Sequence, residues 1–169
     1  SMRKGFTMIE LIFVIVILGV LASVAIPRLA ATRDDAEVAK AATNLTTAVS
    51  DLTAYYTAKG SFNSYTKTGS TWTKGNKISD FTKITNALNK KGELLVKGKI
   101  KCAAITLPDE GTNASDKVEL KVQFTKADAV CKQLTKLSGV MAMCGTDAEV
   151  GSSADACKIQ IGGAGGINF

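Results

Sequence analysis

Residues 11–26 read LIFVIVILGVLASVAI, sixteen positions without a charge. No other stretch restricts the possible folds of this chain so strongly. As a helix rising about 1.5 Å per residue it is about 24 Å long, slightly short of a bilayer core of about 30 Å. Arg3 and Lys4 precede it, and Glu10 stands at its head. An acidic side chain costs roughly 2.5–3.5 kcal/mol near a bilayer centre and less toward the edge. An ordinary anchor would not carry Glu10, so the residue needs a reason.

Three readings compete for this segment. As a secretory signal, it has a basic start, and Ser23-Val24-Ala25 resembles a small-residue cleavage site. Against that, Glu10 interrupts the start of the apolar run, and the helical pattern continues past Ala25. As a plain anchor, Arg3 and Lys4 would hold one end in the cytoplasm. The third reading explains Glu10. KGFTMIE followed by an apolar run resembles the class III signal of type IV pilins and their relatives. The resemblance covers roughly the first sixty residues. ATRDDAEV at 31–38 and GGAGGINF at 162–169 also resemble pilin-type proteins of the epsilon group of proteobacteria.

That resemblance implies cleavage by a prepilin peptidase between Gly5 and Phe6, and methylation of the new Phe6 amine. It places the family's conserved glutamate at Glu10 and its helix-disrupting proline at Pro27. An α-amine with a reference pKa of about 7.7–8.0 is mostly cationic at neutral pH. Glu10 would then pair with the Phe6 amine of its own chain or of a neighbour. A buried, unpaired carboxylate is expensive, so pairing would reward correct register during assembly.

Beyond Pro27, no glycine or proline occurs until Gly60, and alanine is abundant. Val38, Ala42, Leu45, Val49, Leu52 and Tyr56 are spaced 4,3,4,3,4, which draws one apolar stripe along a helix. One helix from about Phe6 to Lys59 is therefore expected, apolar all round at first and amphipathic afterwards. Pro27 removes a backbone donor and is expected to kink it.

After Gly60 the texture changes. Residues 60–77 are rich in Gly, Ser, Thr and Asn and read as loop with at most a short strand, with Trp72 as a core plug. Residues 78–92 fit a short amphipathic helix through Ile78, Phe81, Ile84 and Leu88, capped by Ser79 or Asp80 and ended by Gly92. Residues 93–108 turn strand-like. Val118, Leu120, Val122 and Phe124 alternate along a strand that would form an antiparallel hairpin with it. Residues 126–139 suggest a short helix ending at Gly139, residues 141–157 a loop, and 157–163 a last strand. Together with the resemblance, this implies an α+β chain of type IV pilin fold: a long N-terminal α-helix packed on an antiparallel β-sheet. Its parts would be a leader (1–5), the membrane and filament-core half of the helix (6–27), its amphipathic half (28–59) and a globular head (60–169).

The four cysteines, Cys102, Cys131, Cys144 and Cys157, are spaced 29, 13 and 13, and no C-x-x-C pair or histidine accompanies them, so a zinc site is disfavoured. In an exported head an even number suggests two disulfides, with three connectivities open. Cys102–Cys131 with Cys144–Cys157 is favoured, each contributing roughly 2–4 kcal/mol. Related subunits often enclose a C-terminal loop with a disulfide, which keeps Cys131–Cys157 in contention.

Without histidine there is no Ser-His dyad, and no Gly-Lys-Ser/Thr phosphate loop occurs, so no catalytic residue and no cofactor is assigned. Asp109, Glu110, Asn113 and Asp116 lack EF-hand spacing, and Asp147, Glu149 and Asp155 are a minor calcium candidate, so no metal is assigned either. Lys90, Lys91, Lys97, Lys99 and Lys101, with Tyr65 and Trp72 nearby in sequence, keep DNA open as a partner. The +6 formal charge falls to +4 once Arg3 and Lys4 are removed.

The partners the resemblance implies are identical and related pilin subunits, prepilin peptidase, an inner-membrane assembly platform and the lipid bilayer. The subunit would sit in the inner membrane with a periplasmic head, then in a periplasmic or surface filament serving pilus function, type II secretion or DNA uptake. The competing reading is a bitopic, membrane-anchored periplasmic domain that binds DNA or a partner and does not polymerise.

Overall fold

The structure, a computed structural model, describes residue 5, residues 7–111, residue 113 and residues 115–163. Phe6, Arg3, Lys4 and the last part of the C-terminal glycine-rich run lie outside the described residues. The chain divides into two units, Ser1–Ala36 and Glu37–Phe169. The layout is α+β, a long N-terminal helix and an antiparallel sheet, consistent with the pilin fold.

Helix α1 runs from Met8 to Lys59 without interruption, including through Pro27. Proline has no N–H, so the carbonyl of Ser23 loses its i+4 donor. Threonines, poor helix formers, are accommodated because their hydroxyls donate to carbonyls one turn back: Thr32 to Arg28, Thr43 to Ala39, Thr46 to Ala42, Thr53 to Val49 and Thr57 to Thr53. Gly60, at φ 75, ends the helix in the left-handed conformation, its N–H donating to the Tyr56 carbonyl at 2.7 Å.

In the first unit, the described apolar side chains of α1 from Met8 to Leu29 are exposed. The helix is long and apolar enough to cross a membrane.

In the second unit, Val38, Ala41, Leu45, Ala48 and Leu52 are buried, while Ala42, Val49 and Tyr56 are half-buried at the flank. The expected stripe is thus rotated toward two alanines. Ala41 and Ala48 lie in the buried face, and the larger Val49 stands at its edge.

The sheet has the order β3-β4-β5-β6, all antiparallel: β3 (Glu93–Val96), β4 (Ile100–Thr106), β5 (Val118–Phe124) and β6 (Lys158–Gly162). Val118, Leu120, Val122 and Phe124 are buried, as their alternation requires. They join Leu94, Val96, Ala103 and Ile105 in one core with the α1 stripe. Lys97 (φ 52) and Gly98 (φ 76) form the β3–β4 turn, in which both central residues take positive φ. The Lys97 N–H donates to Glu37 on α1, and its ammonium lies 3.1 Å from Asp128.

Four sequence expectations are corrected. Residues 63–77 form a β-hairpin, β1 (Asn63–Thr68) and β2 (Thr71–Lys77), turning at Gly69 (φ 64) and Ser70. Trp72 is 62% exposed and plugs nothing, because this ribbon is a separate two-stranded sheet. Residues 78–92 contain only a 3₁₀ turn, Phe81–Lys83, capped by Asp80. Local side-chain bonds displace the helix there: Thr85 Oγ1 accepts from Ala87 N, and Asn89 Oδ1 accepts from the N–H groups of Lys91 and Glu93. Gly92 (φ 80) lies so close to the Phe81 ring that a Cβ would collide with it.

The expected single helix up to Gly139 is two, α2 (Ala129–Leu134) and α3 (Ser138–Met143), with Gly139 inside the second. Thr135 makes the break: its hydroxyl donates to the Lys132 carbonyl and its own carbonyl accepts from Val150 N at 3.0 Å.

Candidate functional site

The residues singled out by the apolar run and its head lie at the start of α1. Gly5 is exposed and outside any regular element. Thr7 and Glu10 form a reciprocal cap. The Glu10 N–H donates to Thr7 Oγ1 at 3.2 Å, while Glu10 Oε2 accepts from the Thr7 N–H at 3.2 Å and from its hydroxyl at 3.3 Å. The Leu11 N–H donates to the Thr7 carbonyl at 3.1 Å, which begins the helical ladder. Helix starts leave up to four N–H groups unsatisfied, and in an apolar setting each is costly. Threonine at the cap with glutamate three residues later satisfies two of them. Acidic charge in the first turn also complements the helix dipole. The sequence carries this signal as T-x-x-E ahead of an apolar run, independently of any charge pairing by Glu10.

Pro27 and the Ser23-Val24-Ala25 segment lie inside helix, with Ser23 Oγ donating to the Val20 carbonyl at 2.7 Å. The cysteines are joined as Cys102–Cys131, between β4 and α2 with Cα atoms 4.9 Å apart, and as Cys144–Cys157, between the end of α3 and the start of β6 with Cα atoms 4.6 Å apart. Cys131 and Cys157 are therefore not partners.

Of the acidic candidates, Asp109, Glu110 and Asp116 line one cleft, and these three, Glu149 and Asp155 are engaged by lysines or by backbone and side-chain donors. Glu149 accepts from Lys126 and from Thr135 Oγ1, and Asp155 lies 3.0 Å from Lys121. Asp109 lies 2.9 Å from Lys77, and Asp116 accepts from the Asn113 N–H at 2.9 Å. Among the described residues, Cys102, Asp128 and Cys131 form the one group with metal-ligand proximity, and its sulfurs are consumed by a disulfide. Of the lysines between 90 and 101, Lys97 is bonded to Asp128 and Lys101 to Glu93, and all five are exposed.

A polar clasp ties the β1–β2 ribbon to the β4–β5 connection. Glu110 accepts from the Tyr65 hydroxyl and lies 3.2 Å from the Lys74 ammonium. Hydrogen bonds from Ser61 and Tyr65, with the Lys74 charge behind them, hold the Glu110 carboxyl down at about 2. The carboxylate in turn raises the Tyr65 phenol. Lys77 also donates to the Leu107 carbonyl. Beside the clasp lies a cleft of about 560 Å³ lined by Lys77, Lys117, Lys121, Asp109, Glu110 and Glu119, of mixed charge.

Comparison with known proteins adds one match. Residues 1–26 fit the family model of the prokaryotic N-terminal methylation motif. This motif marks a class III prepilin signal, consistent with a type IV pilin-like family and with a pilin- or pseudopilin-like precursor. The signal implies processing by prepilin peptidase, and the apolar helix that follows suggests membrane anchoring. No curated protein and no solved structure matches the chain significantly.

Proposed function

We propose that this chain is the precursor of a structural subunit of a type IV pilus-like filament. Prepilin peptidase cuts between Gly5 and Phe6 and methylates the Phe6 amine. The subunit waits in the inner membrane, its head in the periplasm, and an assembly platform extrudes it into a filament of identical and related subunits. Such a filament serves pilus function, type II secretion or DNA uptake. The leader is 1–5, the packing half of the helix 6–27 with a kink at Pro27, the amphipathic half 28–59 and the head 60–169.

The observation that carries this reading is one juxtaposition. The methylation motif at 1–26 runs directly into a helix whose described apolar side chains are exposed from Met8 to Leu29. That helix continues into a head with a core of its own and two disulfides. Exposed apolar surface on that scale needs lipid or copies of the same helix to cover it.

The Thr7–Glu10 cap favours a second reading, because it gives the carboxylate a partner without any neighbour. The chain would then be a bitopic anchored domain that never polymerises.

The N-terminal mass of the protein from its own cells tests both. A start at methylated Phe6 is expected. An intact start at Met2 overturns processing and leaves the anchored domain, and a start at Ile26 means signal-peptidase cleavage after Ala25 and a secreted head. Given a Phe6 start, Glu10→Ala should abolish incorporation into filaments, and unchanged incorporation overturns the pairing role of Glu10.

A further inference from the structure

The β1–β2 ribbon stands apart from the four-stranded sheet, and every residue from Ser64 to Lys77 is exposed. Its root is fixed: Phe62 is buried, stacks on Tyr55 at 5.8 Å between ring centroids and lies against Tyr56 at 5.6 Å. The ribbon therefore has a rigid base and an uncovered blade.

Its register sorts the side chains. Tyr65 is opposite Lys74 and Lys67 is opposite Trp72. Directly opposed residues share a face, as do residues two apart on one strand. One face thus carries Tyr65, Lys67, Trp72 and Lys74 as a checkerboard of rings and ammonium groups, and the other carries threonine pairs, Thr66 with Thr73 and Thr68 with Thr71. Tyr65 and Trp72 are the large hydrophobic side chains exposed in the second unit among the described residues, at 45% and 62%.

No acidic residue occurs between Asp51 and Asp80. Glu110 reaches the inner half of the face and neutralises Lys74. The outer half keeps Lys67, whose ammonium lies 5.6 Å from the centre of the Trp72 ring and has no carboxylate partner among the described residues. Tyr65 and Trp72 are diagonal neighbours on this face, which on such a ribbon stand about 7–8 Å apart, within reach of one flexible strand.

We propose that this face binds single-stranded nucleic acid, with bases stacked on Trp72 and Tyr65 and a phosphate held by Lys67. Lys67 moves off the indole face as the base arrives and exchanges a cation–π contact for a phosphate. The outer half, Trp72 with Lys67 and no carboxylate, complements a flexible polyanion with π faces, while Glu110 on the Tyr65 hydroxyl confines the phosphate to the Lys67 end. A duplex is disfavoured, because its bases are already stacked and one free lysine gathers few phosphates. The proposal does not depend on filament assembly.

Trp72 is the single tryptophan in the chain, so its emission reports on this face alone. The full-length chain in detergent micelles is titrated at low salt with a labelled 12-nucleotide oligothymidylate, reading anisotropy and Trp72 emission together. Binding with quenching is expected, with a log–log salt slope of about −0.7 to −1.4 for one or two phosphates. Trp72→Ala should weaken affinity roughly 5- to 150-fold, the range that one lost stacking contact spans. Trp72→Phe should restore part of it, Lys67→Ala should flatten the salt slope, and Lys132→Ala, on α2, should change nothing. Because Trp72 and Lys67 are exposed, these variants should fold normally, which circular dichroism checks. The proposal is overturned by unchanged Trp72 emission, by equal affinity for a 12-base-pair duplex, or by Trp72→Ala binding as tightly as the parent chain. Emission that depends on protein concentration and ignores the oligonucleotide would assign the face to a second copy of the chain, and would also overturn it.

Discussion

Leu18 and Leu45 sit on the same helix, yet one is 59% exposed and the other fully buried. The stretch around Leu18 is apolar on every side and has no protein partner in the described structure, whereas the stretch around Leu45 confines its apolar residues to one stripe and buries them on a sheet. One continuous helix thus runs through an uncovered stretch and a covered one. In the first region the surroundings needed are lipid or another helix, and in the second the chain supplies its own. Helix formation is decided locally in both, and the second stretch also joins the hydrophobic core of its unit.

The strongest way to break this contrast is a truncation in each half. Leu45→Ala should destabilise the head by about 2–5 kcal/mol, while Leu18→Ala should leave the head's thermal midpoint unchanged in detergent. Equal effects in calorimetry would mean that the apolar half is part of the head's folding unit. Removing the disulfides comes next. With a sequence separation of 29 against 13, loop entropy gives about 3.6 kcal/mol for Cys102–Cys131 and about 2.9 kcal/mol for Cys144–Cys157. Paired Cys→Ala variants should therefore rank in that order in urea melts.

The Thr7–Glu10 cap offers a smaller effect on the other side of the comparison. Thr7→Ala should cost about 1 kcal/mol at the helix start. Amide exchange of residues 8–11 in micelles should quicken, with the head's midpoint unmoved. A shift of that midpoint would show coupling that the two regions are not expected to have.

Acid should act on the head through its clasp. Glu110 has a folded pKa lowered to about 2 from an ordinary 4.5. Its contribution is therefore whole above about pH 4.5 and is lost as pH falls toward 2. Asp109 is also lowered, chiefly by its hydrogen bond from Lys77, and moves in the same direction. Glu110→Gln should flatten the pH dependence of the midpoint in that window, and a profile identical to the parent chain would dismiss the clasp. The smallest effect belongs to Trp72→Phe, which should change head stability by no more than about 0.5 kcal/mol because the ring is exposed. A larger loss would mean that Trp72 is packed against something after all.

Legibility in the sequence followed the range of the interaction. The 3,4 spacing around Leu45 and the alternation from Val118 to Phe124 are carried by adjacent residues, and both appear as buried faces. The hairpin at 63–77 was obscured because its strands alternate rings and lysines with threonines instead of apolar with polar. Its Gly69-Ser70 turn was nevertheless a usable hairpin signal. The helix expected at 78–92 failed because periodicity counts apolar residues and ignores Thr85 and Asn89, whose side chains capture backbone N–H groups. At the candidate site, Glu10 stands out by its charge in an apolar setting, and its bond to Thr7 is legible as T-x-x-E.

The sequence by itself determined the N-terminal half: a contiguous apolar run, a carboxylate and its threonine set a capped, membrane-compatible helix without reference to any distant residue. Tertiary structure decided which helix positions face the sheet, which cysteines are joined, where the 126–143 helix breaks and which way Trp72 points. Each of these depends on groups far apart in the chain. The bond from Val150 N to the Thr135 carbonyl and the reach of Glu110 to Tyr65 exist only once distant segments have been brought together. Local periodicity has no term for either.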